Sequence, residues 1–249
     1  MKVSTIKKTL KSVLVILFWI IVWQIAAITI NQEIILPTPV ATFNALYKML
    51  NQGTFYIAVL YSILRIIIGY LLGVLIGILG GVLSYRIQIF KALFSPILSL
   101  VKAVPVASFI ILALVWLKGT TLPIFISFLI VVPIIWSTTE TSLKNIDKNY
   151  LELAAVYKLS PLKVFFKIKL PLIRHNLISS ALTAMGFAWK SGVAAEVICK
   201  PENSLGNILQ TAKIYLEIPQ VFAVTVVVAV LSIVLETSVK LIVRRYSDD

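Results

Sequence analysis

The sequence predicts an all-α integral membrane protein with about six transmembrane helices, and three observations predict it. Of its 249 residues, 59% are hydrophobic and 13% charged, with a mean hydropathy of +0.99, whereas a soluble domain is about 45–50% apolar. Long uncharged runs recur, each near the roughly 20 residues a helix needs to cross a bilayer core. The 23 Lys and Arg residues fall between these runs and do not line one amphipathic face or tail, so the net charge of +13 reads as a topology signal and not as a nucleic-acid surface.

The first span covers about 12–30. Lys2, Lys7, Lys8 and Lys11 precede it and Asn31-Gln32-Glu33 follow it. A cleaved signal peptide has a shorter apolar stretch ending in a small-x-small site, so an uncleaved first helix is expected and residues 1–34 form the first unit. Residues 35–55 form a second unit. Here Thr38 can cap a helix that opens at Pro39, and Val40, Phe43, Leu46, Tyr47 and Leu50 recur at helical spacing, as in a helix lying on the outer surface.

The remaining core, 56–245, holds spans at about 57–83, 91–117, 120–140, 174–198 and 219–243. In the first of these Gly69, Gly73 and Gly77 recur every fourth residue, a small-residue stripe that lets another helix approach closely, within one subunit or between two. Pro96 and Pro105 interrupt the next, which reads either as a kinked helix or as an interfacial segment before a shorter span. An even number of spans puts both termini on one side. With that side inside, sixteen Lys and Arg residues occupy inner segments, and four, Lys48, Lys118, Lys200 and Lys213, occupy outer ones. The positive-inside rule therefore places both termini in the cytoplasm.

Ionisable groups at membrane depth are expensive and mark functional candidates. Four stand out: Arg65, Lys102, Lys190 and Glu196. Arg65 lies near the outer end of its span, from which it can snorkel. Six positions separate Lys190 from Glu196, about 120° around a helix, so the two do not pair locally. A pathway-facing Lys190 favours an anion; an ion pair with another helix is the alternative. Lys102, Lys190 and Glu196 are the pathway candidates.

The longest polar segment, about 144–173, lies between the fourth and fifth spans on the inner side. It reads as two short helices. The first runs from about Tyr150 to Leu159, with Asn149 as its cap. Ser160 caps the second, which opens at Pro161 and closes before Pro171. Ala154-Ala155 gives the first helix a small face for a partner's groove.

Here the chain resembles a family. Glu152-Leu153-Ala154, then Ser160, then Ile168-Lys169-Leu170-Pro171 is similar to the EAA loop of permease subunits of binding-protein-dependent, type I ABC importers. Further pieces resemble the nitrate/sulfonate/taurine branch: Ile35-Leu36-Pro37-Thr38-Pro39, Ser62-Ile63-Leu64-Arg65, Ala188-Trp189-Lys190, Ala194-Ala195-Glu196 and Leu205-Gly206. The resemblance implies a type I permease core in a bacterial plasma (inner) membrane, with the first loop helix acting as the coupling helix of a cytoplasmic ATPase. Glu152, Leu153, Ala154, Ala155, Lys158, Ser160, Ile168, Leu170 and Pro171 then form the ATPase-coupling segment. It further implies two ATPase copies that bind ATP, a second permease subunit, in a homodimer with a heterodimer as the alternative, an extracytoplasmic solute-binding protein, and import by alternating access. Relatives handle sulfonates, taurine, nitrate and thiamine precursors. One departure stands out: Lys158 occupies the usual loop glycine, where a lysine must either adopt the left-handed turn under strain or shift that turn to Leu159-Ser160.

The residues present exclude several alternatives. Lys11-Ser12 and Lys190-Ser191 follow Leu10 and Trp189, so no Gly-Lys-Ser/Thr cradle binds ATP in this chain. A single His175 and a single Cys199 leave no material for a metal cluster or a disulfide framework. No paired catalytic groups mark an intramembrane enzyme. A stand-alone secondary transporter or channel is the runner-up reading, but no matching set of interrupted helices appears in both halves.

Overall fold

The computed structural model describes residues 2–245. Met1 of the 1–34 unit lies outside the described residues, as do the side chains of Lys2, Lys7, Lys8, Lys11, Arg244 and Arg245. Eleven α-helices and one π-helical segment follow in order among the described residues: α1 (Lys2–Ile30), α2 (Pro39–Leu50), α3 (Gly53–Arg86), α4 (Gln88–Ala103), α5 (Val106–Ala113), α6 (Thr121–Lys144), α7 (Lys148–Val156), α8 (Pro161–Val164), the π segment Phe165–Lys169, α9 (Leu170–Cys199), α10 (Leu205–Ile214) and α11 (Ile218–Arg245). Thr38 accepts a 3.1 Å hydrogen bond from the Ala41 amide at the start of α2, as its place before Pro39 predicts.

The bundle is built on α3 and α6. Gly69, Gly73 and Gly77 are buried against α6, and a Cβ added at each would collide with α6. Gly69 meets the Ile124 carbonyl, Gly73 meets Val131 and Gly77 meets Ile135. The predicted stripe is thus a contact within one chain. Both partners in these contacts rise in number together, so α3 and α6 run parallel. The connecting segment 87–120 must therefore return along the full length of the pair.

That return is not one helix. The 91–117 segment is broken, as its prolines predict, into α4 and α5, bent by 106° at Val104-Pro105. The cause is local: Pro105 has no N–H to donate to the preceding turn, and proline pushes the residue before it out of the α region. Val104 accordingly sits at φ −82°, ψ 133°. Pro96, by contrast, is accommodated inside α4.

α9 is the central strut. Its Trp189 Nε1 donates to the Val228 carbonyl of α11 at 2.9 Å. Its Ala188 carbonyl accepts from Ser127 of α6 at 3.2 Å, and its Ala181 carbonyl accepts from Tyr70 of α3 at 3.1 Å. With the further contacts Glu196–Ser62 of α3, Asn176–Ser142 of α6 and Gly186–Glu236 of α11, numbers rise on α9 as they fall on each neighbour, so α9 is antiparallel to all three. Among the described residues four helices are long and apolar enough to cross a membrane, five if the bent α4–α5 pair is one span. α9, with 30 residues and a length of about 45 Å, is long enough too. It reads as less apolar because Asn176, Ser179, Thr183 and Lys190 interrupt its apolar run on one exposed face. α7 and α8 define one end of the bundle, called the loop end below; α2 and α10 lie at the opposite end.

Candidate functional site

Three polar features stand out against this apolar frame. The first is the loop at 144–173. Asp147, not Asn149, caps α7: its carboxylate accepts from the Asn149 amide at 3.0 Å. α7 ends in a Schellman turn, in which Lys158 donates to the Ala155 carbonyl (2.9 Å) and Leu159 to the Ala154 carbonyl (3.1 Å). Lys158 holds the left-handed conformation at φ 49°, so the turn stays at the lysine and does not shift to Leu159-Ser160. A non-glycine residue there costs about 1–2 kcal/mol. Lys158→Gly should therefore stabilise the chain by about 1 kcal/mol, read as a melting temperature roughly 2–4 °C higher; an unchanged or lower value would show that the turn carries no strain.

The two-helix corner differs from expectation in two ways. Ser160 stands at the N-cap of α8 without a side-chain capping bond. Further, the second helix does not close before Pro171. α8 runs through the π segment, where Leu170 donates to the Phe165 carbonyl, directly into α9. The physical reason is Pro171, which lacks an N–H; a single wide π turn places that gap where the helix tolerates it. Ile168 and Leu170 thus sit in one continuous helical run. Lys169 fastens that run to α3 by donating to the Tyr85 hydroxyl at 3.0 Å.

The small face of α7 is split. Ala154 is 3% exposed and turned against the chain itself, above a pocket floored by Arg86, Val164 and Phe165. Glu152 and Ala155 are exposed. Outward stand Tyr150, Leu153, Val156 and Tyr157, the last three 61%, 79% and 70% exposed.

The second feature is a buried cluster at the opposite end. Glu196 is 0% exposed, so in this conformation it has no surface with which to face a pathway. Its Oε2 accepts from the Ser62 hydroxyl at 2.7 Å and from the Gly206 amide at 3.3 Å. Its Oε1 faces Arg65 Nη1 at 3.4 Å. Arg65 does not snorkel. It donates to the Glu202 and Asn203 carbonyls at 2.9 and 3.1 Å, while Ser62 Oγ accepts from the Leu205 amide at 2.9 Å. This network clamps the α9–α10 connection onto α3. It also requires Gly206, because a Cβ there would collide with Glu196 and the Val197 amide.

The third feature is a groove between α6 and α9 of about 500 Å³. α6 contributes Ser137, Thr138 and Thr141; α9 contributes Asn176, Ser179 and Thr183. Asn176, Thr183 and Lys190 lie seven residues apart, a spacing that drifts only about 20° per step, so one exposed α9 face carries all three. Among the described residues Lys190 has no salt-bridge partner. This strip of hydroxyl, amide and ammonium groups, broken by Phe187 at 52% exposure, is unsuited to lipid alone and fits water or solute. Lys102 is also exposed, on the last turn of α4, whose residues are nowhere buried; it lies on one α4 face with Gln88, Lys91, Ser95 and Ser99. From that face Lys91 pairs with Glu140 of α6 at 2.7 Å.

Residues 69–248 match the family described as binding-protein-dependent transport system inner membrane component. The chain belongs to this family. It is thus a permease component of a binding-protein-dependent ABC transporter. Over 232 residues, 91% of this permease and 87% of the relative, it is 25% identical to a putative ABC transporter permease protein of Methanocaldococcus jannaschii. Over 90% of its length it is 23% identical to the taurine transport system permease protein of Escherichia coli, covering 83% of that protein. A bicarbonate transport system permease protein of Synechocystis is 34% identical over 105 residues, 41% of this permease and 37% of the relative. In fold the permease is similar to a chain of the MetNI methionine ABC transporter in an inward-facing form, with a TM-score of 0.65 at 18% identity over 77% of this chain and 95% of that one.

Within the permease, the three pathway candidates separate. Lys190 and Lys102 are exposed on different helices, and Glu196 is enclosed by Ser62, Arg65 and Gly206. Sequence reading missed Ser62 as a site residue, although a serine one turn before an intramembrane arginine was a signal. It also missed Glu140 and Glu236, carboxylates near span ends that were not weighed as being at membrane depth.

Proposed function

We propose that two identical copies of this permease form the translocation pathway of an ATP-driven importer, with both termini in the cytoplasm. Two ATPase subunits dock on the α7 loops, and a solute-binding protein delivers cargo at the opposite end. The observation that carries this reading is the pairing of an exposed apolar α7 face with a continuous run from Pro161 to Cys199. An apolar face at a loop is a partner surface. The run behind it leads directly to the polar face of α9, so displacement at α7 is transmitted to the groove. ATP-driven closure would then move both α9 helices and switch the open side, by alternating access.

The solute is a small organic anion such as a sulfonate, or a smaller anion such as nitrate. Lys190, about two turns beyond Thr183 on the same exposed α9 face, supplies the attracting charge next to the hydroxyl-lined groove. Glu196 and Arg65 hold the frame. Losing a charge-assisted contact of about 1.5–3 kcal/mol predicts that Lys190→Met lowers uptake of a radiolabelled sulfonate about tenfold or more, with the melting temperature unchanged because Lys190 is exposed. Unchanged uptake in that variant would remove Lys190 from the pathway.

A further inference from the structure

Under the inward side of α7, where Ala154 is buried, the chain holds a cavity of about 430 Å³, within the roughly 300–1,000 Å³ of small-molecule sites. Ala154, Leu159, Val164 and Phe165 give it apolar walls, and two cations line it beside them: Arg86 from the last turn of α3 and Lys169 from the end of the π segment. Aromatic rings hold both cations. Arg86 Cζ lies 6.0 Å from the centre of the Phe165 ring, and Lys169 Nζ lies 4.6 Å from that of Tyr85, whose hydroxyl takes one of its three hydrogens. Consecutive residues of α3, Tyr85 and Arg86, thus brace the two ends of the π segment.

The two cations lack counter-charge. Among the described residues neither has a carboxylate within 4.0 Å. Between Lys144 and Arg174 seven Lys and Arg residues face only Asp147 and Glu152. Asp147 is taken by the α7 cap, Glu152 is exposed and outside the cavity, and Glu140 is shared by Lys91 and Lys144. A positive pair beside apolar walls suits a ligand built the same way, an anion joined to hydrocarbon. A free inorganic anion would leave Leu159, Val164 and Phe165 wet, and hydrocarbon alone would desolvate both cations without replacing their water. The cavity sits between α7 and the end of membrane-spanning α3, where anionic headgroups of the inner leaflet gather around basic residues.

We propose that this cavity binds an anionic phospholipid, its phosphate bridging Arg86 and Lys169 while the first carbons of its chains cover Leu159, Val164 and Phe165. The proposal rests on the loop end being the cytoplasmic end and goes beyond the transport reading. The lipid becomes a third brace between α3 and the π segment, the part of the lever that joins α7 to α9.

The test is native mass spectrometry of the full permease in detergent, with phosphatidylglycerol and phosphatidylcholine of matched acyl chains. One phosphatidylglycerol per chain should be retained at a concentration about thirtyfold lower than phosphatidylcholine, as two Lys/Arg contacts to an anionic headgroup give. Arg86→Gln with Lys169→Gln should erase this preference. Lys163→Gln with Lys167→Gln removes the same charge at exposed positions outside the cavity and should leave it in place. If the first pair does not fold, Arg86→Gln alone decides, because Arg86 is exposed; it should lower the preference about fivefold. Four results would overturn the lipid site and leave the transport reading intact: equal retention of the two lipids, a preference that survives loss of the cavity cations, an equal loss in the Lys163→Gln, Lys167→Gln chain, or displacement by inorganic phosphate at equal concentration. Labelling of Leu162→Cys, in a Cys199→Ser background, by an impermeant maleimide added to intact cells would put the loop end outside and overturn both.

Discussion

Glu196→Ala is expected to produce the largest loss of stability of any single substitution in this chain. The alanine removes the acceptor shared by Ser62, Arg65 and the Gly206 amide, and it leaves a guanidinium that is 6% exposed without its counter-charge. Breaking a buried pair from one side costs about 3–5 kcal/mol, a large share of the 5–15 kcal/mol that holds a typical protein folded. The purified variant should melt roughly 6–20 °C lower in detergent and accumulate poorly in membranes. Replacing both charges, with Glu196→Gln and Arg65→Met together, should recover much of the loss, because no uncompensated charge is then buried. A Glu196→Ala chain that melts with the parent would show that the cluster is ornamental.

This cluster also marks how far the sequence was legible. Arg65 and Glu196 stand out separately as ionisable groups at membrane depth, but nothing local joins them to each other, to Ser62 or to Gly206, since Glu196 lies 134 positions from Ser62 and 131 from Arg65. Only the antiparallel packing of α9 on α3, with α10 folded back over the top, brings Ser62, Arg65, Glu196 and Gly206 to one point. A linear pattern shows that Glu196 cannot pair with Lys190 on the same helix, but not which helix answers it.

Helix existence was more readable than helix shape. Apolar runs located α3, α6, α9 and α11 within a few residues of their ends, since burial in lipid or protein demands the same composition along the whole span. The 106° bend between α4 and α5 was only half legible. Pro105 announced a break, but its angle depends on how α5 packs on Ile126 and Ala195, which are distant in sequence. The π segment was harder still. Pro171 reads as the end of a helix, whereas one extra residue in the preceding turn lets the helix pass through it.

The second large effect is expected on the outward face of α7, and it is one of coupling, not of folding. Leu153 and Val156 are 61% and 79% exposed, so Leu153→Arg with Val156→Arg should leave the melting temperature within about 2 °C, as surface substitutions do. If the ATPase grips this face, two central apolar anchors worth about 2 kcal/mol each are replaced by charges. The ATPase retained on affinity-purified permease should then fall at least about 30-fold, and uptake should cease. Ala154→Arg provides the contrast. Ala154 is turned inward over Val164 and Phe165, so that arginine should wedge α7 away from the π segment and lower stability as well as ATPase retention. The pattern matters more than either loss alone: exposed positions that abolish coupling at full stability, beside a buried one that costs both, is what a lever gripped from outside requires. Full ATPase retention by the double-arginine chain would mean that the motor holds some other surface, and that the continuous run from Pro161 to Cys199 is not the element it moves.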